Sequence, residues 1–141
     1  MSLREQIIEA IKLALVNQTT AMDRVFRSRE EAITREETPA IIVRPDVEDD
    51  DTFSDVIVRN TLTVQVAIMT RGLVPDSLAD SVAVAAHRII VTDLNLASLV
   101  VKVRKTGSKW DFDEADSTAG TLLMMYQVTY LSKANDIAAS P

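Results

Sequence analysis

The sequence predicts an α+β fold: a single two-layer domain with two amphipathic helices packed on one face of a mostly antiparallel sheet, in the order α-β-β-α-β-β-β. Three observations predict it. Two segments, residues 3–16 and 77–92, repeat their apolar residues at helical spacing. Several others alternate apolar and polar residues with a period of two and lie close enough in sequence to pair as hairpins. The chain has 141 residues, 47% of them hydrophobic, and no cysteine, so one core must form without disulfide staples.

The first helix opens on Ser2, with Glu5 three residues later as a capping box. Leu3, Ile7, Ile8, Ile11, Ala14 and Leu15 form its apolar stripe, Glu9 and Lys12 face away, and Asn17 begins its end. Residues 18–38 have no clean period. Met22, Val25, Phe26 and Ile33 are their large apolar residues, and Arg24, Arg27, Arg29 and Arg35 interleave with Glu30, Glu31, Glu36 and Glu37. This reads as a long surface crossing pinned by Val25 and Phe26. A crossing of that length is uncommon in a compact domain unless it is functional or mobile.

Pro39 opens a short strand over 40–44, stopped by Pro45. The stretch DVEDDDTFSD follows at 46–55, with six acidic residues of ten, and reads as a loop. The strand after it has Val58, Leu62, Val64, Val66 and Ile68 on one face and Arg59, Thr61, Thr63 and Gln65 on the other, with Asn60 interrupting the apolar side. The 40–44 strand is its expected hairpin partner.

Arg71 and Gly72 end that strand. Pro75-Asp76-Ser77 starts the second helix, with Asp76 or Ser77 as its cap. Leu78, Val82, Ala86, Ile89 and Ile90 form its stripe, and Ala79, Ala83 and Ala85 keep it slim against a sheet. Beyond it, 99–105 and 109–113 alternate around a turn at Thr106 and Gly107, giving two short strands or one with a kink. The last strand, about 121–132, places Leu122, Met124, Tyr126, Val128 and Tyr130 on one face. Leu123, Met125 and Leu131 make the other face partly apolar too. Such a strand is central, or covered by a neighbouring subunit. Residues 1–133 form the domain and 134–141 a flexible tail.

Composition narrows the function. The net charge is −6 and the pI about 4.7, which disfavours general binding to nucleic acid. Three glycines and no Gly-rich motif leave no phosphate cradle. No apolar run reaches the ~18 residues of a spanning helix, and the amphipathic start is unlike a signal peptide, so work in a cytoplasm is expected. His87 is the single histidine and has no nucleophile or carboxylate in register, so a structural role is expected.

The acidic stretch fails as an EF-hand. A loop starting at Asp49 places Phe53 at a ligand position, Ser54 where glycine is required and Asn60 at the twelfth position. A looser cation cage, a solvated hairpin tip and a docking surface for a basic partner remain open for it. Lys102, Arg104, Lys105 and Lys109 form a basic run, followed by Asp111, Asp113, Glu114 and Asp116. Such blocks suit either an ordinary polar hairpin or complementary patches that meet between copies of the chain. Trp110 and Phe112 either anchor that contact or enter the core, and the core is expected for one of them.

The order of these segments carries a resemblance. RVFRSREEAI, TPAIIV, the acidic stretch, RNTLTVQVAI, DSLADSVAVAAHRII and the closing Tyr126-Gln127-Val128-Thr129-Tyr130 follow one another over nearly the whole chain. In this the chain resembles the small tail-terminator or tail-completion proteins of long-tailed bacteriophages and prophages, the minor tail protein U-like family. The resemblance implies a structural protein without enzymatic activity, cofactor or metal. It implies a hexameric ring that caps the tail tube, stops its polymerisation and offers a surface to head–tail neck proteins. DNA passes through the lumen unread, and no membrane is involved. The implied location is the host cytoplasm during assembly and then the virion tail. Arg27, Arg29, Asp49, Asp50, Asp51 and Arg71 are the expected contact residues. Another phage-derived part (a neck connector, a baseplate or contractile injection subunit) and a small ligand-binding domain or enzyme are the alternatives.

Overall fold

The computed structural model describes residues 1–29 and 31–141; Glu30, one of the charges in the crossing, lies outside the described residues. The α+β class holds. The elements are α1 (Leu3–Leu15), β1 (Val25–Arg27), a 3-10 turn (Arg35–Glu37), β2 (Ala40–Thr52), β3 (Ile57–Arg71), α2 (Pro75–Thr92), α3 (Leu94–Ala97), β4 (Lys102–Phe112) and β5 (Ala119–Lys133). They build one five-stranded sheet in the order β1-β2-β3-β5-β4. Every pairing is antiparallel except that of β1 with β2.

β3 and β5 are the spine. They pair without a register shift from Ile57 opposite Lys133 to Arg71 opposite Ala119. Directly opposed residues of an antiparallel pair share a face. Leu62, Val64, Val66 and Ile68 therefore line one face together with Val128, Tyr126, Met124 and Leu122, and all eight are buried. The interruption at Asn60 also falls on this face. Asn60 is buried, and its Nδ2 donates to Ser132 Oγ at 2.9 Å and to the Tyr130 carbonyl at 3.3 Å. A polar residue is accepted in the core because β5 supplies its partners.

The helices cover that face. Ser2 caps α1 by accepting the Glu5 N–H, and Leu3, Ile7, Ile8, Ile11 and Leu15 are buried. Asn17, past the helix end, takes the left-handed conformation at φ 60°, which asparagine tolerates better than most residues. α2 buries Pro75, Ala79, Val82, Ala83, Ala86 and Ile90. α1 packs on β1 and β2, α2 packs on β3 and β5, and β4 is only grazed by α2.

Several boundaries differ from expectation, each for a local reason. α2 begins at Pro75 behind Val74, not at a cap on Asp76 or Ser77: a proline fits the first helical position, and Thr70 Oγ1 donates to its carbonyl at 2.7 Å. Leu78 points outward, and Ala79 takes the inward place. The crossing contains β1, a three-residue strand too short to show a period, with Val25 buried. Thr106 and Gly107 do not turn the chain. They sit at a register shift inside one continuous strand, β4, so the kinked alternative is the one adopted. Neither Trp110 nor Phe112 enters the core; each is 52% exposed.

The largest correction concerns Pro45 and the acidic stretch. β2 does not stop at Pro45 but runs on to Thr52 through a bulge between Pro45 and Glu48. β1 reaches only as far as Val43, so Pro45 lies where β2 is an edge and no donor is required of it. Asp49, Asp50 and Asp51 are therefore strand residues rather than loop residues. At the other terminus the Leu3 N–H donates to the Ile137 carbonyl and the Ala134 N–H to the Val56 carbonyl.

Two leucine-sized sites separate core from surface. Ile11→Ala, at a side chain only 1% exposed, should cost about 2–5 kcal/mol. Leu13→Ala, at 68% exposure, should stay within about 0.5 kcal/mol. Urea unfolding of both variants checks the pair.

Candidate functional site: the acidic arm and the sheet edges

The far half of the β2–β3 hairpin forms an arm. Residues 49–56 are exposed, and the turn is closed by the Phe53 and Ser54 N–H groups on the Ile57 carbonyl. Strand geometry sends neighbouring carboxylates to opposite faces. Asp49 and Asp51 lie opposite Thr61 and Arg59 on the helix-free face. Glu48 and Asp50 lie opposite Leu62 and Asn60 on the helix face. Among the described residues no group of three or more His, Asp or Glu is placed to hold a metal ion.

Glu48 ties the arm to the body, a role the sequence did not reveal. Tyr130 Oη donates to Glu48 Oε1, and Arg4 Nη1 donates to Glu48 Oε2 at 2.6 Å. Burial, then the adjacent Glu48 carboxylate, pushes the Tyr130 hydroxyl pKa up, so this phenol stays a donor. The bulge hid this contact, because it changes which face Glu48 takes relative to residues 40–44. Farther out, Arg59 Nη2 donates to Asp51 Oδ2 at 2.7 Å across the hairpin.

The three arginines expected at contacts are engaged within the chain. Arg27, from β1, binds Glu5 through both its terminal nitrogens and Glu9 at 2.9 Å, which clamps β1 to α1. The Arg27 contact holds the Glu5 carboxyl below its ordinary value. Arg29 meets Glu37 with two bonds, 2.6 and 2.9 Å, while its guanidinium lies 4.5 Å over the Phe26 ring. Arg71 Nη1 donates to Asp116 Oδ2 at 2.8 Å and fastens the end of β3 to the β4–β5 connection. Asp116 is held low first by the Thr118 hydroxyl and N–H, then by Arg71. Asp49 and Asp50 are exposed on the arm, away from the three arginines.

His87 meets a buried phenol. Its Nδ1 is 2.8 Å from Tyr126 Oη, with the two rings stacked at a centroid distance of 5.8 Å. Burial pushes the Tyr126 pKa up to about 12, so the hydroxyl keeps its proton, and Met124 Sδ is a second acceptor for it at 3.9 Å. The open groove beside it, about 530 Å³, is lined by His87, Val91, Val103, Arg104, Lys105, Thr106 and Gly107. Among the described residues its lining holds no carboxylate, and its one hydroxyl, Thr106 Oγ1, donates to the Met125 carbonyl at 3.4 Å. A larger groove of about 860 Å³ runs between α1 and the end of α2, past the exposed Leu13 and Leu94.

Beyond the helices, β4 offers an open edge. Lys102, Arg104, Lys105 and Lys109 are exposed along it, and Trp110 and Phe112 stand half uncovered on its helix side. The helix-free face of the sheet is mixed. Ala67, Met69, Leu123, Met125 and Leu131 are half-buried there among Thr63, Gln65 and Gln127. Among the described residues no helix is long and apolar enough to cross a membrane. No protein-family model matches this chain, and no curated protein matches it.

The Arg29–Glu37 pair sets an acid limit. Glu37 is lowered from 4.5 to about 2, first by its bonds to Arg29 and then by the Thr34 N–H. A carboxylate depressed in the fold stabilises it above its unfolded pKa, and that contribution disappears as pH falls toward the folded value. Glu37→Gln should therefore lower the melting temperature near about pH 6, with the gap to wild type narrowing below about 4.5 and closing near about 2. Parallel thermal melts across that range measure it.

Proposed function

We propose that this chain is a structural subunit of a phage or prophage tail, a tail terminator that forms a ring, caps the tail tube, ends its polymerisation and offers a joining surface to the neck. The observation that carries the reading is the exposed acidic arm projecting from a sheet whose second face has no helices. A ring subunit needs flat sides, edges that accept neighbours and a feature reaching along or into the channel; the arm and the half-apolar free face supply these. The segment order that resembles the terminator family supports it further.

The charge distribution suits the same role. Arg27, Arg29 and Arg71 are neutralised elsewhere in the chain and Arg59 offsets only Asp51, so Asp49 and Asp50 keep the arm net negative. Acidic walls around a channel repel the phosphate backbone and let DNA pass without holding it. In this reading the protein acts through surfaces and carries out no chemistry. His87 and Tyr126 serve as a packed pair that seats α2 on β5.

The test has two parts. The genes beside this one should encode a tail-tube protein, and the purified chain added to that growing tube should shorten the tubes and appear as a ring at one end. Asp49→Lys with Asp50→Lys and Asp51→Lys should reduce joining to heads. Tubes of unchanged length, with a chain that stays monomeric in their presence, would overturn the proposal.

A further inference from the structure

The sheet ends on two open edges of opposite charge. β4 pairs only with β5. β1 covers β2 only beside Ile41, Ile42 and Val43, so residues 44–52 of β2 have a bonded neighbour on one side alone. Open edges present unpaired N–H and C=O groups that can template another strand. On β4 the helix-free face carries Lys102, Arg104 and Lys109, and the helix face carries Lys105. On the arm the helix-free face carries Asp49 and Asp51, and the helix face carries Asp50. Asp111 on β4, and Arg59, which pairs with Asp51, run against this pattern, and the net signs of the two stretches remain opposite.

We infer that the β4 edge is a docking surface for a second copy of this chain, which adds its acidic β2 arm to it, so that one antiparallel sheet continues from copy to copy. The inference rests on the ring reading above and specifies its contact.

Strand direction supports it. β2, β3, β5 and β4 alternate in direction across the sheet. When copies are related by a rotation about an axis along the strands, β4 of one copy runs antiparallel to β2 of the next. The alternation then continues without a break. Charge removes the competing arrangements. Two β4 edges brought together set lysines and arginines against each other, and two arms set aspartates against each other; both are disfavoured by like-charge repulsion. The unlike pairing of β4 with the arm avoids this repulsion, and a head-to-tail contact of this kind closes into a ring when its rotation allows. The ladder sets Lys102 level with Asp49, through Thr129 and Thr61, so these two charges meet when a rotation without rise brings the copies together.

Charge swapping tests the contact. One variant carries Asp49→Lys and Asp50→Lys; a second carries Lys102→Glu, Arg104→Glu and Lys109→Glu; a third carries all five. Glu48, which holds Tyr130, is left intact in each. Sedimentation velocity at low salt should show the wild type assembled and each of the first two weakened by about a hundredfold or more. An equimolar mixture of those two should reassemble, because the basic arm of one meets the acidic edge of the other. The third variant should assemble alone, which also shows that the substitutions leave the fold intact.

Assembly of the first two variants at wild-type strength, failure of both the mixture and the third variant to assemble, or a wild type that is monomeric throughout would overturn the inference. The two readings fail separately. Charge-dependent assembly in a chain that ignores tail tubes keeps this contact and removes the terminator role. Tube capping by a chain whose assembly is indifferent to these charges does the reverse.

Discussion

The unbroken pairing of β3 with β5 is the constraint on which the rest of the structure depends. It fixes which face of each strand is inside, and a slip of one residue would turn Leu62, Val64, Val66 and Ile68 out and Thr63 and Gln65 in. Both helices are placed by that face. The slim Ala79, Ala83 and Ala86 side of α2 lies on β3 and β5, and α1 covers β2 beside it. Tyr126 and Tyr130 carry the same register outward to polar partners. Tyr126 reaches His87 on α2, and Tyr130 reaches Glu48 at the root of the arm. One ladder therefore orients the core, seats a helix and anchors the most exposed feature of the molecule.

The charged residues divide into two groups with different physical roles. Arg27 and Arg71 join segments distant in sequence, Arg29 closes the crossing on Glu37 eight residues away, and all three are partly withdrawn from water. The two-bond geometry of Arg27 and Arg29 makes them more effective clamps than exposed single-point pairs. Together the three hold the crossing and the β4–β5 connection. The charges of the arm and of β4 are different. Apart from Arg59 with Asp51, and Glu48 at the arm's root, they leave the sheet edges soluble and give each edge a sign. Arg27 and Arg29 of the crossing were expected at contacts; in the fold they bind Glu5, Glu9 and Glu37 and fasten it.

Much of the architecture was legible because it rests on long periodic segments. The stripe of α1, its Ser2 cap and the alternation of β3 and β5 are direct consequences of periods 3.6 and 2. What was not legible rests on single residues or on pairing. A three-residue strand such as β1 has no period to detect. Pro45 reads as a stop unless one knows that β2 is an edge at that point. Gly107 reads as a turn unless one knows that a bulge absorbs it. The candidate site was legible only as composition. The acidic block was plain, but its division between two faces depends on the bulge after Pro45, and the Glu48–Tyr130 anchor spans most of the chain.

An open edge strand invites uncontrolled pairing, and charge is a common defence against it. Here the defence is asymmetric. A basic β4 repels every other β4, and an acidic arm repels every other arm, so neither edge can pair with its own kind. A protein that needed only solubility would be served by one sign at both ends, which would repel all three pairings. Opposite signs at opposite ends repel the like pairings and leave the unlike one open. In the contact inferred above, the same residues that oppose pairing of like edges would leave head-to-tail association along the sheet open.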